Sequence, residues 1–408
     1  MGLLFLVLMI MGIGVSIALH EAGHMYATRI FKGRVKSFSV GFGPTFLKYT
    51  KKHTLYTFKL IPLYGYVNIA GMGQDSMTGT EQEGERAPVD EMVSTADGYT
   101  KFDNMTPWAK TVILMGGVTV NALFALLLAV VSFSAIGVNG PTTTIYEVAR
   151  CLEGETSCQE SQYAPAFAAG VERGSVVRSI EGQTVDSWAD LTEIVSAYDP
   201  GDTVSMVVQT PANLEKSVSL TFAESPYAKN PSYRGNRSYL GVTPLVKVQR
   251  YPVTRSVSLF KQNLAETAAI IVKYPSSVYN SFKNSLTGDT DAESELVGPV
   301  GLGRLSSDIG ELDSSLSQRF GLLLTVLAAI NISLTVFNIM PLLPFDGGRI
   351  VLVWAESLRS TIYRVYKKKD PGSFNPRIVA LISAVVVSAY IVSVLMLLVV
   401  DIVNPVSL

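Results

Sequence analysis

Two histidines and a glutamate stand at the end of a stretch otherwise suited only to hydrocarbon. From Gly2 to Ala27 the chain reads GLLFLVLMIMGIGVSIALHEAGHMYA, and about 20 such residues in helical form cross a bilayer. Ionisable groups at that depth need partners, so His20, Glu21 and His24 restrict what may pack around them. His20 and His24 are four apart, which on a helix sets their imidazoles on one face, able to grip a single ion. Glu21 is placed to handle a proton beside it. H-E-x-x-H at this spacing is a zinc hydrolase signature, with two histidine ligands and a glutamate as general base. A cleaved signal peptide is the rival for such a run. No basic segment precedes it, and histidine and glutamate inside its end do not suit a segment destined for removal.

Composition widens the membrane reading to the whole chain. Hydrophobic residues make up 48% of the 408 and charged ones 16%, the balance of a polytopic membrane protein with one soluble insert. Lysine plus arginine (33) nearly equal aspartate plus glutamate (34), which argues against nucleic acid as a main partner. The distribution of charge gives the orientation. Arg29, Lys32, Arg34, Lys36, Lys48, Lys51, Lys52 and Lys59 follow the first span with no acid among them. That side is therefore expected to be cytoplasmic and the N-terminus outside.

The expected order runs as follows. Residues 1–30 form a first transmembrane helix carrying HEAGH. Residues 31–73, with short β-prone runs broken by glycine and proline, form a membrane-associated β-hairpin region. Residues 74–107 are polar and acidic and read as a cytoplasmic loop. Residues 108–138 form a second transmembrane helix, 141–250 an extracytoplasmic soluble domain and 251–318 an extracytoplasmic amphipathic helical linker. Residues 319–349 form a third transmembrane helix ending in PLLPFDGG, 350–375 a cytoplasmic segment rich in Arg and Lys, and 376–402 a fourth transmembrane helix. The fold class is thus a mainly α membrane protein with four transmembrane helices, a β-hairpin region and an inserted α+β domain. Both termini and the insert are expected outside, and the active site near the cytoplasmic side of a plasma membrane.

Within the insert, APAFAAGVERGSVVRSIEGQTVDSWADLTEIV has a short helix, a glycine turn, a β-run, a second turn at Glu181-Gly182 and an amphipathic helix from Ser187. This resembles a PDZ domain, with YLGVTP as its closing strand, and such domains capture extended peptides by strand addition. A spacer without ligand is the plain alternative. Cys151 and Cys158, the only cysteines, fall on this outer side. A disulfide is favoured there, and zinc ligation is the weaker reading because their spacing does not match the usual C-x-x-C.

Two further polar residues lie within apolar segments. Asn121 in the second span needs a partner in hydrocarbon and is a functional candidate. Asp346 follows the prolines of NIMPLLPFDGG, and a lone acid there is costly unless paired or metal-bound. Charge bias puts His20, His24 and Asp346 at the same depth, although more than 300 positions separate the first two from the third. Catalytic zinc takes three protein ligands and keeps one position for water, so the three can form one site. His53, the third histidine, reads as a surface residue.

HEAGH, GGVTVN and NIMPLLPFDGG in successive spans, with a PDZ-like insert between the second and third, resemble the site-2 proteases of peptidase family M50, and most of all their actinobacterial members. The resemblance covers nearly the whole chain. It implies a single Zn2+ held by His20, His24 and Asp346, Glu21 as the catalytic base, and Asn121 and Asn338 as positioners of substrate. It also implies that the sheet around Tyr66 and Val67 guides an unwound substrate strand. The expected function is hydrolysis of peptide bonds in or near the spanning segment of single-pass membrane proteins, anti-sigma factors being the implied class. Two other functions fit parts of the pattern. A metal transporter would also line a path with intramembrane histidines and carboxylates, but further ligands along a route are missing. A non-catalytic PDZ scaffold would have no use for Glu21 beside the ion.

Overall fold

The computed structural model describes residues 1–72, 99–152, 158–229, 237–287, 296–369 and 371–403. Contacts divide the chain into two compact units, Met1–Ile136 with Tyr251–Leu408, and Gly137–Arg250. Most of the expected 74–107 loop lies outside the described residues.

The first unit opens with α1 (Gly2–Ile30), which carries the HEAGH motif in its last three turns. Two long antiparallel strands follow, β1 (Val35–Lys51) and β2 (Thr54–Ile69). They turn at Lys52 and His53, both at positive φ, as a two-residue hairpin whose twist matches its strands requires. His53 is exposed there. Ser37–Val40 pairs on one side with Gly65–Asn68 and on the other with Leu55–Phe58, so the strands fold over one another into a small sheet. Gly41 and Gly43, at φ +93° and +87°, sit where that register shifts. α2 (Pro107–Val130) begins where Thr106 caps it, accepting from Ala109 N at 3.3 Å with Pro107 in the first helical position, a favourable start for a helix. A π-helical turn, Val131–Ile136, carries it on.

The second unit is an α+β domain. Its strands are β3 (Val138–Val148), β4 (Val176–Ile180), β5 (Gln183–Thr184), β6 (Thr203–Gln209), β7 (Glu215–Thr221), β8 (Ala223–Glu224), β9 (Ser238–Tyr239) and β10 (Val242–Gln249). The main sheet has the order β10-β3-β4-β6-β7, with β5 on β4, and β8 pairs with β9. Two helices join them, α3 (Pro165–Ala168) and α4 (Trp188–Ser196). Ser187 and Asp190 cap α4 reciprocally, Asp190 N donating to Ser187 Oγ and Ser187 N to Asp190 Oδ2, an arrangement typically worth about 1 kcal/mol. Alternate residues of β6, Val204, Met206 and Val208, join Ile180, Leu191 and Phe222 in the core, the period-2 pattern of a sheet with one buried face. The domain starts at Val138, three residues before its expected edge.

The chain then returns to the first unit through α5 (Val253–Val272), α6 (Tyr274–Thr287), α7 (Pro299–Glu311), α8 (Leu316–Ile339), α9 (Asp346–Val365) and α10 (Pro376–Val403). α1, α2 with its π-helical turn, α8 and α10 are long and apolar enough to cross a bilayer. Buried polar side chains join them. Asn331 of α8 donates to Ser16 Oγ of α1 at 2.8 Å, and Ser132 donates to the Gly321 carbonyl at 2.8 Å. Asp401, near the end of α10, accepts from the backbone N–H groups of Gly298, Val300 and Gly301 at 2.8–3.0 Å. It thereby satisfies the open start of α7, where a carboxylate also suits the helix dipole.

One boundary departs from expectation in a way that matters for the site. The third span was expected to run to 349, with Asp346 closing it. The helix stops at Ile339, because Pro341 and Pro344 bring no N–H for its next turns, and Asp346 instead opens α9. The residues expected as a cytoplasmic segment from 350 continue that helix to Val365.

Candidate active site

The site begins with glycines. A Cβ on Gly23 would overlap the Gly116 carbonyl, and one on Gly116 would meet the Gly23 oxygen, so α1 and α2 cross with their backbones in contact. Next to that crossing, a Cβ on Gly117 would stand 2.6 Å from His24 Nε2 and 2.7 Å from His20 Nε2. The missing side chain leaves room for the two imidazoles. Gly117 therefore does more than the helix packing that small residues in a span usually signify.

Helix α2 also orients the histidines. His24 Nδ1 lies 2.9 Å from the carbonyl oxygen of Ile113 and is buried. A carbonyl only accepts, so Nδ1 carries the proton and Nε2 presents its lone pair. That Nε2 is 3.1 Å from His20 Nε2, and each is 3.3 Å from Asp346 Oδ2. A circle through the three atoms has a radius of about 1.9 Å, just inside the ~2.0–2.1 Å of a zinc bond to nitrogen or carboxylate oxygen. Asp346 Oδ2 is buried and has no hydrogen-bond partner. Two imidazole nitrogens converging with a carboxylate oxygen that has no hydrogen-bond partner fit zinc with its fourth position open. Asn121, buried on α2, puts its amide nitrogen 3.2 Å from His20 Nδ1.

Asp346 reaches this point through α9. Ile350 and Val353 pack against the buried cluster of Phe102, Met105, Ala109 and Ile113, and Trp354 Nε1 donates to Thr111 Oγ1 at 3.0 Å. The start of α9 is so held beside α2. Gly347 and Gly348 lie directly on the backbone of Ile339–Leu343, where any side chain would collide, which lets the chain turn sharply out of α8. Burial works to raise the Asp346 carboxyl, but the two imidazoles facing it outweigh burial and hold it well below the ordinary carboxylate range. It is thus an anion ready to ligate.

β2 passes along α1 and past Glu21. A Cβ on Gly14 would meet Pro62, and one on Gly65 would stand 2.8 Å from Ile17 and 2.9 Å from the Glu21 side chain. Glu21 lies in the fields of His24, His20, Asp346 and Arg349. Tyr64, beside it, has its phenol pushed up by burial and by the Glu21 charge.

The other expected residues divide. Tyr66 and Val67 pair with Ser39 and Phe38, and Val67 packs against the cluster around Ile69 and Phe102. Asn338 donates its amide at 2.9 Å to the Leu334 carbonyl of its own helix. Cys151 and Cys158 are joined by a disulfide in the second unit. Sequence reasoning read Gly117 as a helix-packing glycine and gave no site role to the Ile113 carbonyl, Gly65 or Arg349. One signal was available for the α2 set: positions 113, 117 and 121 recur every four residues, one helix face.

The model of peptidase family M50 matches residues 8–369. The zinc metalloprotease Rip1 of Mycolicibacterium smegmatis is 27% identical over 99% of this chain and 98% of its own. Rip1 of Mycobacterium tuberculosis is 26% identical over the same shares. The solved PDZ domain of the SdrC-like protein from Listeria monocytogenes aligns with 26% of this chain and 94% of its own, at 12% identity and a TM-score of 0.18.

Proposed function

This chain belongs to peptidase family M50, and from that premise we propose that it cuts single-pass membrane proteins within or beside their spanning segments. The enzyme is a zinc metalloprotease of a membrane protein family. One observation carries the step to intramembrane cleavage: the His20, His24 and Asp346 atoms converge where the first helix fit to span a bilayer carries Glu21 beside them.

His20, His24 and Asp346 would hold the zinc, which would supply Lewis acidity and lower the pKa of a water there toward about 7. Glu21 takes the proton of the attacking water and returns it to the leaving amine. A helical substrate hides its carbonyls in its own hydrogen bonds, so the scissile stretch must be extended. The β2 segment from Tyr64 to Ile69, including Tyr66 and Val67, guides that stretch, a role supported by Gly65 lying against Glu21. Asn338 contacts the substrate near the end of α8. The insert makes PDZ-like contact with a peptide or protein outside the membrane. Orientation follows the charge bias, with the insert and both termini outside and the site near the cytoplasmic face. Anti-sigma factors are the substrate class the family resemblance supplies.

Co-expression of the full chain with tagged single-pass anti-sigma factors, alongside its Glu21→Gln variant, tests this. A shortened cytoplasmic fragment with the parent alone is expected. A fragment that persists with the variant, or none from any substrate, overturns the proposal.

A further inference from the structure

Asn121 is buried, its amide nitrogen is 3.2 Å from His20 Nδ1, and its Oδ1 has no hydrogen-bond partner. With the nitrogen toward His20, only one imidazole tautomer is served: Nδ1 accepts, and Nε2 carries the proton. Nε2 then offers no lone pair to an ion. When Nε2 ligates zinc, Nδ1 must carry the proton, and two donors would face one another. Turning the amide end for end places Oδ1 at the same distance from Nδ1–H and removes the conflict. The two ends of a carboxamide are nearly alike in shape, so the turn needs no repacking.

We propose that Asn121 is a positioning residue for His20, turning its amide so that Oδ1 holds the Nδ1–H tautomer whose Nε2 binds zinc. Each histidine ligand then has its own acceptor on one face of α2, the Ile113 carbonyl for His24 and the Asn121 carbonyl for His20. Gly117 between them leaves the space. The side-chain choice differs from the backbone one in a useful way. A backbone carbonyl accepts only, whereas an amide pairs with His20 in both tautomers, before and after the ion arrives. The role is thus toward the ligand and not, as the family resemblance suggests, toward substrate. It rests on the assignment of zinc to His20, His24 and Asp346.

The test is zinc affinity in the purified full-length protein, by competition with a chromogenic chelator, together with the visible absorption of the cobalt-loaded form. Asn121→Leu is expected to weaken zinc by about 10–100-fold, the cost of losing such an outer partner, and to shift the cobalt spectrum. Asn121→Asp keeps an acceptor toward Nδ1–H and is expected to bind zinc at least as tightly as the parent. If the Leu variant does not elute as the parent does in gel filtration, Asn121→Ala takes its place. Parent-like affinity and spectrum in the Leu or Ala variant overturn the inference, and so does an Asp variant that loses zinc as strongly as Leu. A parent that binds no zinc overturns the metal assignment and the inference together, which separates that failure from the others.

Discussion

His24 Nδ1 and the Ile113 carbonyl oxygen, 89 positions apart in sequence, meet at 2.9 Å inside the first unit. That bond decides which imidazole nitrogen faces the site, and it comes from a backbone atom that no substitution of Ile113 removes. Substitutions at Ile113 therefore leave the orientation of His24 intact.

Replacing Glu21 with Gln keeps the size of the side chain and removes its capacity to take a proton. Zinc content is expected to stay at the parent's level, and peptide cleavage to fall by at least about 10²–10⁴-fold, the typical contribution of a general base. Atomic absorption on the purified protein and a fluorogenic peptide assay measure the two separately. Full cleavage by the variant would remove Glu21 from the role.

Asp346→Ala removes one of the three proposed ligand atoms and leaves the two imidazoles alone to hold the ion. Zinc affinity should fall by more than the about 10–100-fold associated with outer partners, and chelator competition reads the loss directly. An unchanged affinity would take Asp346 out of the ligand set.

Gly117→Ala would set a methyl group 2.6–2.7 Å from both His20 and His24. Such a group either displaces the imidazoles or pushes α1 away from α2, and both outcomes spoil the ligand triangle. We expect zinc loss comparable to that of a ligand substitution, in a protein that still elutes as the parent does.

Gly65→Val should behave in the opposite way. Its side chain would press on Ile17 and Glu21 and leave the histidines alone, so zinc is retained while cleavage drops by about 10²-fold, as misplacement by about 1 Å of a reacting group can cause. Zinc stoichiometry beside turnover distinguishes the two glycines.

Asp401→Ala leaves three backbone donors at the start of α7 without their acceptor. A loss of about 2–4 kcal/mol is expected, read as a lower Tm in detergent, with zinc content unchanged in the folded fraction.

Much of this centre is visible in the sequence because its chemistry is carried by side chains at a fixed period. His20 and His24 declare a helix face by their spacing, and the basic run after Arg29 gives the expectation of a shared depth that points to Asp346, the residue whose carboxylate lies beside both imidazoles. The supporting parts are silent for physical reasons. The Ile113 carbonyl belongs to a residue whose side chain says only that it is apolar. Gly117 and Gly65 mark closeness without naming what comes close, since an absent side chain leaves the same letter in any crowded place. The break at Pro341 and Pro344 was visible, but whether the chain ends there or starts a new helix depends on Ile350 and Val353 finding the α2 surface, a contact between distant segments.

The second unit leaves and rejoins the chain along a single pair of strands. Val138 pairs with Gln249 and Gly140 with Lys247, and just outside them Tyr251 N donates to the Phe133 carbonyl at 3.0 Å. To the first unit, more than a hundred residues thus count as one tight loop. Such a splice makes the insert separable: a short turn from Val138 to Gln249 could replace it while the helices that bring His20, His24 and Asp346 together keep their connectivity.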